Sequence, residues 1–273
     1  TICISKYCKG REVVLIMEII RNIIFFILFF SFIPNLLLGA SYEKNYEIRS
    51  FSSDGVLGKI DKAAARRGLQ VYTEICAGCH GLKHVAYRNL TDLGLSMEQV
   101  KAFASQFEVR ALPNDEGEVN MRAALPYDKF VEPYENDNLA KVMNNGAVPP
   151  DLSLIIKARA GGASYFYGLL AGYEEAPDNF DVGNGYYNKV YPGHVIAMPQ
   201  PLYGDDVEYA DGTEASLEQE IHDLTMFLTW TAQPELDNRK EMGFKTILFL
   251  IFMTIILFMS YRKIWKRVKS GIV

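Results

Sequence analysis

The chain has 273 residues, 49% of them hydrophobic, enough for one large domain or two small ones with an ample core. Its four cysteines are too few for a disulfide scaffold. The formal charge of −5 is uneven, at −13 between Ser41 and Met242 and +8 outside, which argues against nucleic-acid binding and suits a basic soluble partner.

The chain starts at Thr1, and Met17 is the expected initiator. Arg21, the apolar run Ile23–Ile33 and the small-residue end Leu36–Ser41 read as a secretory signal peptide cut after Ala40 or Ser41. An uncleaved anchor is the alternative, because Ile19–Leu38 is about long enough to span. Ser41–Gly58 has no clear apolar period and reads as an irregular arm. A helix is expected from Ile60, with Ala64, Val71 and Ile75 on its apolar stripe and Tyr72 widening it. Gly68 lies on that face, where a missing side chain lets another helix approach closely.

This helix runs into Cys76-Ala77-Gly78-Cys79-His80, the C-x-x-C-H signature of c-type haem attachment. Residues three apart share one face of a helical turn, so both thiols reach the vinyl groups on one porphyrin edge. His80 then lies under the ring and binds iron from the proximal side. Two other readings compete. A redox thiol pair wants a βαβ context, whereas the flanks give helix and loop. A zinc site from Cys76, Cys79, His80 and His84 would make a poor tetrahedral cage.

After the motif, Tyr87–Leu90 opens a polar loop. Ser96 and Gln99 form a capping box for a helix to about Gln106. Pro113–Tyr134 reads as long loop, and Asn138–Asn144 as a helix stopped by Asn145-Gly146. The turn Pro149–Ser153 leads to a helix over Leu154–Arg159, and a further helix follows over Ser164–Gly172. Tyr173–Gly193 is punctuated by Gly and Pro and reads as loop. An acidic strip runs from Asp205 to Glu220. A second capping box, Ser216 with Gln219, opens an amphipathic helix with Leu217, Ile221, Leu224 and Leu228 on one stripe, ended by Pro234. Gly243–Tyr261 is long and apolar enough to span a bilayer, and the basic tail behind it is cytoplasmic by the positive-inside rule. The globular part then lies outside the cytoplasmic membrane.

The sixth iron position decides what such a haem does, since methionine there raises the potential and closes the iron. His84 lies on the proximal side and cannot serve. His194, His222 and six methionines (Met97, Met121, Met143, Met198, Met226 and Met242) are available. Met198 is chosen because Met198-Pro199-Gln200-Pro201 is stiffened by two prolines. Met226 reads as core, and His222 as a solvated face. The haem propionates call for an arginine, with Arg122 and Arg159 as candidates.

Together these blocks resemble the cytochrome c1 family, haem subunits of the cytochrome bc1 (ubiquinol–cytochrome c reductase) complex. The similarity covers nearly all of Ser41–Val273. It rests on Cys76–His80 followed by Val85-Ala86-Tyr87-Arg88, on Asn145–Ser153 and Lys157–Gly162, on Tyr165 and Leu170–Tyr173, and on Ala197-Met198-Pro199 and Glu235–Gly243. The resemblance implies a mostly α, cytochrome c-like haem domain with long loops plus one C-terminal transmembrane helix. With the leader and span read above, the chain divides into a leader (1–40), a haem domain on the periplasmic side (41–242), an anchor (243–261) and a basic tail (262–273). The resemblance implies one covalent haem c with Met198 as the sixth ligand, Arg159 at a propionate, Tyr165 near the haem and Pro150 packed against the ring. Some bacterial members of that family carry an extra disulfide; this chain lacks the cysteines for it, and none is expected.

The function so implied is electron transfer, not bond-making catalysis by this chain alone. Electrons arrive from a Rieske iron–sulfur protein and leave to a c-type cytochrome, with cytochrome b as neighbour in the bacterial cytoplasmic membrane or its mitochondrial equivalent. A haem peroxidase needs an open sixth site, and a free electron shuttle needs no anchor.

Overall fold

The computed structural model describes residues 22–23 and 45–270. The leader expected over 1–40 lies outside the described residues apart from 22–23. The chain divides into two units, Thr1–Lys44 and Asn45–Val273, and everything below belongs to the second.

The first helix, α1 (Lys62–Glu74), starts where Asp61 accepts hydrogen bonds from the Ala63 and Ala64 amides, satisfying donors that a helix start leaves free. It buries Ala64, Ala65, Gly68, Leu69, Val71 and Tyr72. Its main neighbour is α6 (Leu217–Ala232). A Cβ on Gly68 would lie 2.0 Å from the Asp223 carbonyl oxygen and 2.8 Å from Phe227 Cβ, so the close approach expected at this glycine is present.

Between them come α2 (Met97–Ala104), α3 (Asp137–Met143), α4 (Ile155–Ala158) and α5 (Gly162–Ala171). The Ser96–Gln99 box closes on both sides: Ser96 Oγ accepts the Gln99 amide and Gln99 Oε1 accepts the Ser96 amide. The box expected at Ser216 closes only by half. Ser216 accepts the Gln219 amide, but the Gln219 side chain instead donates to Asp223 Oδ2 at 2.9 Å. Gln219 and Asp223 are neighbours one helical turn apart, and turning the amide group toward that buried carboxylate carries the Gln219 oxygen away from the Ser216 amide.

The α6 helix is also buried more widely than the one apolar stripe expected for it. From Glu220 to Ala232, all but His222 are buried. Helices α1, α4 and α5 all pack against it, so it is the central core helix and a one-sided stripe is not enough. His222 is only partly solvated, because its ring stacks on Phe51 with centroids 5.9 Å apart.

The two long loops contain short sheet. Strands β1 (Glu108–Arg110) and β2 (Met121–Ala123) pair antiparallel with Val109 opposite Arg122, and β3 (Tyr186–Tyr187) pairs with β4 (Val195–Ile196). An aromatic cluster ties the first hairpin to the core through Phe107, next to β1, which stacks on Tyr87 at 5.6 Å. Tyr87 stacks on Phe130 at 4.6 Å, Phe130 meets Tyr72 edge-on, and Tyr72 meets Phe227 of α6.

The last helix, α7 (Leu236–Lys269), has 34 residues. It passes continuously through Gly243–Tyr261, and its most apolar window is entirely unburied. At a rise of about 1.5 Å per residue those 19 positions cover roughly 29 Å, the thickness of a bilayer's hydrocarbon core. The architecture is mostly helical, with one long apolar C-terminal helix as a candidate membrane span.

Candidate haem site

Helix α1 stops at Glu74, and Cys76–Gly78 forms a single tighter 3₁₀ turn. The Cys79 and His80 amides both donate to the Cys76 carbonyl, at 3.1 and 2.9 Å. This fold-back gathers two free thiols and the imidazole within one turn; Cys76 is half-buried and Cys79 exposed. Burial pushes the Cys76 thiol up to about 12.

His80 is fixed from two sides. Its backbone carbonyl accepts the Tyr72 hydroxyl at 2.8 Å. Its ring Nδ1 lies 2.7 Å from the Pro150 carbonyl oxygen. A carbonyl only accepts, so Nδ1 carries the proton and Nε2 keeps its lone pair. Burial lowers the pKa of His80 and so favours the neutral ring that metal ligation needs.

Pro150 belongs to a clasp made by Pro149–Ser153. The Leu152 amide donates to the Gly81 carbonyl at 2.9 Å. Asp151 Oδ2 accepts the Lys83 amide at 2.8 Å, and Ser153 Oγ accepts the His84 amide at 3.1 Å. The clasp therefore follows the chain for one turn beyond His80. A cavity of about 330 Å³ opens beside Cys79, lined by Tyr134, Pro149 and Pro150 together with the acidic Glu132, Glu135, Asp137 and Asp151.

Met198 follows β4 directly. Its backbone carbonyl accepts the Tyr173 hydroxyl at 3.0 Å, and its side chain is half-buried against the edge of the core. The other five candidate methionines sit differently. Met97, Met121, Met143 and Met242 are exposed, and Met226 is fully buried within α6. The two remaining histidines are engaged elsewhere: His194 stacks on Tyr187, and His222 on Phe51. Asn188, fully buried, pins the β3–β4 hairpin to α5 by donating to the Leu169 carbonyl at 2.7 Å and accepting from the Val190 and Tyr191 amides.

The two candidate arginines separate as well. Arg122 is committed to Asp128 through two hydrogen bonds of 2.6 and 2.8 Å. Arg159 is exposed, donates to the Ala158 carbonyl at 3.3 Å and makes no ion pair among the described residues. Tyr165 is buried in α5, edge-on to Tyr46. The zinc alternative does not assemble: among the described residues no group of three or more His, Cys, Asp or Glu side chains is placed to hold a metal ion.

Tyr72, Tyr173 and Asn188 escaped the sequence reading. Two act through hydroxyls on backbone carbonyls, and a tyrosine in an apolar stripe or loop carries no local sign of that use. Asn188 lies among loop residues where asparagine is common for turn reasons alone.

Residues 51–268 match the Cytochrome C1 family. The chain belongs to the cytochrome c1 family. It is 40% identical over 238 residues to cytochrome c1 of Rhodospirillum rubrum, covering 81% of this chain and 88% of that one. It is 43% identical over 219 residues to the mitochondrial cytochrome c1 1, heme protein, of Arabidopsis thaliana, covering 80% and 71%. With cytochrome b/c1 of Bradyrhizobium diazoefficiens it shares 41% identity over 238 residues, which span 79% of this chain and 35% of that longer protein. The cofactor of a cytochrome c1 is covalently attached haem c, and the free Cys76–Cys79 pair beside a ring-anchored His80 fits it.

Proposed function

We propose that this cytochrome c1 holds its haem through Cys76 and Cys79, with His80 as proximal and Met198 as sixth ligand, and relays single electrons within a quinol–cytochrome c reductase. Electrons come from a Rieske iron–sulfur protein and go to a c-type cytochrome. The bound haem supplies a one-electron couple. The protein holds the imidazole, delivers the thioether sulfur, offers Arg159 to a propionate, and places Tyr165 and Pro150 beside the group. Residues 1–40 are a leader, 41–242 the haem domain on the outer face of the membrane, 243–261 the single span and 262–273 the inner tail. Cytochrome b is the membrane neighbour, which is in keeping with the name cytochrome b/c1 borne by the relative from Bradyrhizobium.

The observation that carries this reading is the His80 Nδ1–Pro150 bond. It leaves Nε2 as the ring's one free ligand atom on a turn that also presents two free thiols. Support for Met198 comes from its half-buried position, between fully buried Met226 and four exposed methionines, and from its proline-stiffened segment. For Arg159 it is the lack of an ion-pair partner that Arg122 has. The test is the optical and redox behaviour of the membrane-extracted protein. Covalent haem with the near-infrared band of methionine–ferric ligation is expected in the wild type, and its loss in Met198→Leu. A band that persists in Met198→Leu rejects that ligand.

A further inference from the structure

The loop from Phe51 to Ile60 leaves two large aliphatic side chains in the open. Val56 is 75% and Leu57 72% exposed. The loop that carries them is nevertheless tightly built. Asp54 accepts the Phe51 amide at 2.8 Å, the Lys59 amide donates to the Ser52 carbonyl at 2.8 Å, and Gly55 takes the turn at φ +68°. Rigid display of apolar groups to water has a solvation cost that the loop makes no use of internally.

The loop's position gives the reason. Asp237 Oδ1 accepts the Ile60 amide at 3.0 Å. Lys240 Nζ donates to the Ser53 and Gly58 carbonyls at 2.6 and 3.1 Å. Asp237 and Lys240 are both on α7, three residues and about 4.5 Å apart along its axis. Going back from Ile60 to Gly58, the loop therefore descends α7 toward Gly243, where the apolar span begins. Both limbs of its base are held at Lys240, in the last turn of α7 before Gly243. The acidic groups around it are already used, with Asp54 on the Phe51 amide, Asp237 on the Ile60 amide and Glu241 paired with Lys245 at 2.6 Å. An apolar tip with lysines at its base matches the headgroup boundary of a bilayer, where aliphatic groups enter and amines stay at the surface.

We propose that the Gly55–Leu57 tip, fastened to α7 by Lys240 and Asp237, is a second membrane contact that inserts Val56 and Leu57 into the lipid interface beside the start of the span. It gives the haem domain a two-point footing, so that α7 does not act as a free swivel. The bilayer is favoured over a protein partner because the tip offers two isolated aliphatic side chains, without the aromatic or arginine anchors that centre protein interfaces. The proposal rests on Gly243–Tyr261 spanning the membrane.

The test uses the full chain in its complex, reconstituted into liposomes, with nitroxides at Val56→Cys or Leu57→Cys. Glu116→Cys in the exposed β1–β2 turn is the aqueous reference and Phe252→Cys in α7 the lipid reference; the unsubstituted chain gives the labelling background. Both loop positions are exposed, so the label does not enter the core, and an unchanged haem spectrum confirms folding. The expected result is a ratio of oxygen to nickel-chelate relaxation several-fold above that at Glu116→Cys and approaching Phe252→Cys. A ratio like that at Glu116→Cys overturns the proposal. An immobilised label reached by neither reagent also overturns it, in favour of a protein neighbour. If Phe252→Cys itself behaves as aqueous, the span reading fails first and takes this one with it.

Discussion

The His80 imidazole and the Pro150 carbonyl meet at 2.7 Å across a sequence separation of 70 residues. That contact decides which ring nitrogen is free, and the clasp around it decides how firmly the ring is aimed. Asp151 accepts two backbone amides, from Lys83 and Ser153. Asp151→Ala strips both of an acceptor, at about 1 to 3 kcal/mol for each that stays unsatisfied. Reduced urea stability with a raised rate of cyanide binding to the ferric protein is the expected outcome. Stability lost with cyanide kinetics unchanged would separate the clasp from His80 aiming.

Met198→Leu is expected to lower the midpoint potential and to admit carbon monoxide to the ferrous iron, because a thioether favours the reduced state and leucine cannot ligate. Tyr173→Phe keeps the sulfur but removes the hydroxyl that holds the Met198 carbonyl. It should weaken the methionine–ferric band and shift the potential the same way by less. Potentiometry with carbon monoxide titration checks both, and an unmoved potential in Met198→Leu sinks the ligand assignment.

Gly68→Ala forces a methyl group to within 2.0 Å of the Asp223 carbonyl oxygen. Backbone cannot yield as a side-chain end does, so the two central helices must part. Overpacking of this kind costs about 1 to 3 kcal/mol, and occasionally more. Lower denaturant midpoints and less haem-loaded protein at equal expression are expected; a wild-type midpoint contradicts the packing.

Glu220 provides a pH signature. Burial raises its carboxyl from the ordinary 4.5 to about 7, with Oε1 on the Asp206 and Val207 amides and Oε2 unpartnered. Between those two values the folded state binds the proton more than the unfolded state does. The group's stabilising contribution is thus complete below the ordinary value and declines as pH rises through about 7. Glu220→Gln should flatten that segment of the stability–pH curve, measured as urea midpoints across the interval.

Electrostatic docking is narrower than the acidic strip suggested. Asp206 caps the Tyr203 and Gly204 amides, Asp211 pairs with Arg67, Glu218 lies by Arg49 and Glu220 is buried. Asp206, Asp211 and Glu218 are exposed but engaged, whereas Asp205, Glu208 and Glu214 are exposed and make no ion pair among the described residues. Reduction of a basic cytochrome c should slow with added salt, and neutralising those three should reduce both the rate and its salt slope. A rate indifferent to salt removes the docking role.

Much of this protein was readable because its signals are local. Attachment needs two thiols and an imidazole at fixed offsets, so Cys76–His80 shows as five consecutive letters. A span needs a long apolar run, so Gly243–Tyr261, broken only by Lys245 near its edge, stands out. Capping at Ser96 and the glycine at Gly68 follow the same logic. The two small hairpins were missed because strands of two or three residues are too short to show alternation. The half-closed box at Ser216 was missed because the Gln219 side chain turns to donate its amide group to Asp223, which carries its oxygen away from the Ser216 amide. The burial of α6 on every side was missed because periodicity reports one packed face, whereas three helices surround this one.

The sequence by itself determined the attachment turn, the helical class and the apolar span, since each depends on residues near one another in the chain. Only the tertiary structure decided the free nitrogen of His80, the setting of Met198 and the pairing of Arg122 but not Arg159. The first two depend on backbone carbonyls and on groups tens of residues away, and the third on a turn that brings Asp128 back onto Arg122. A carbonyl is the same in every residue, so the sequence carries no mark of which one will be used.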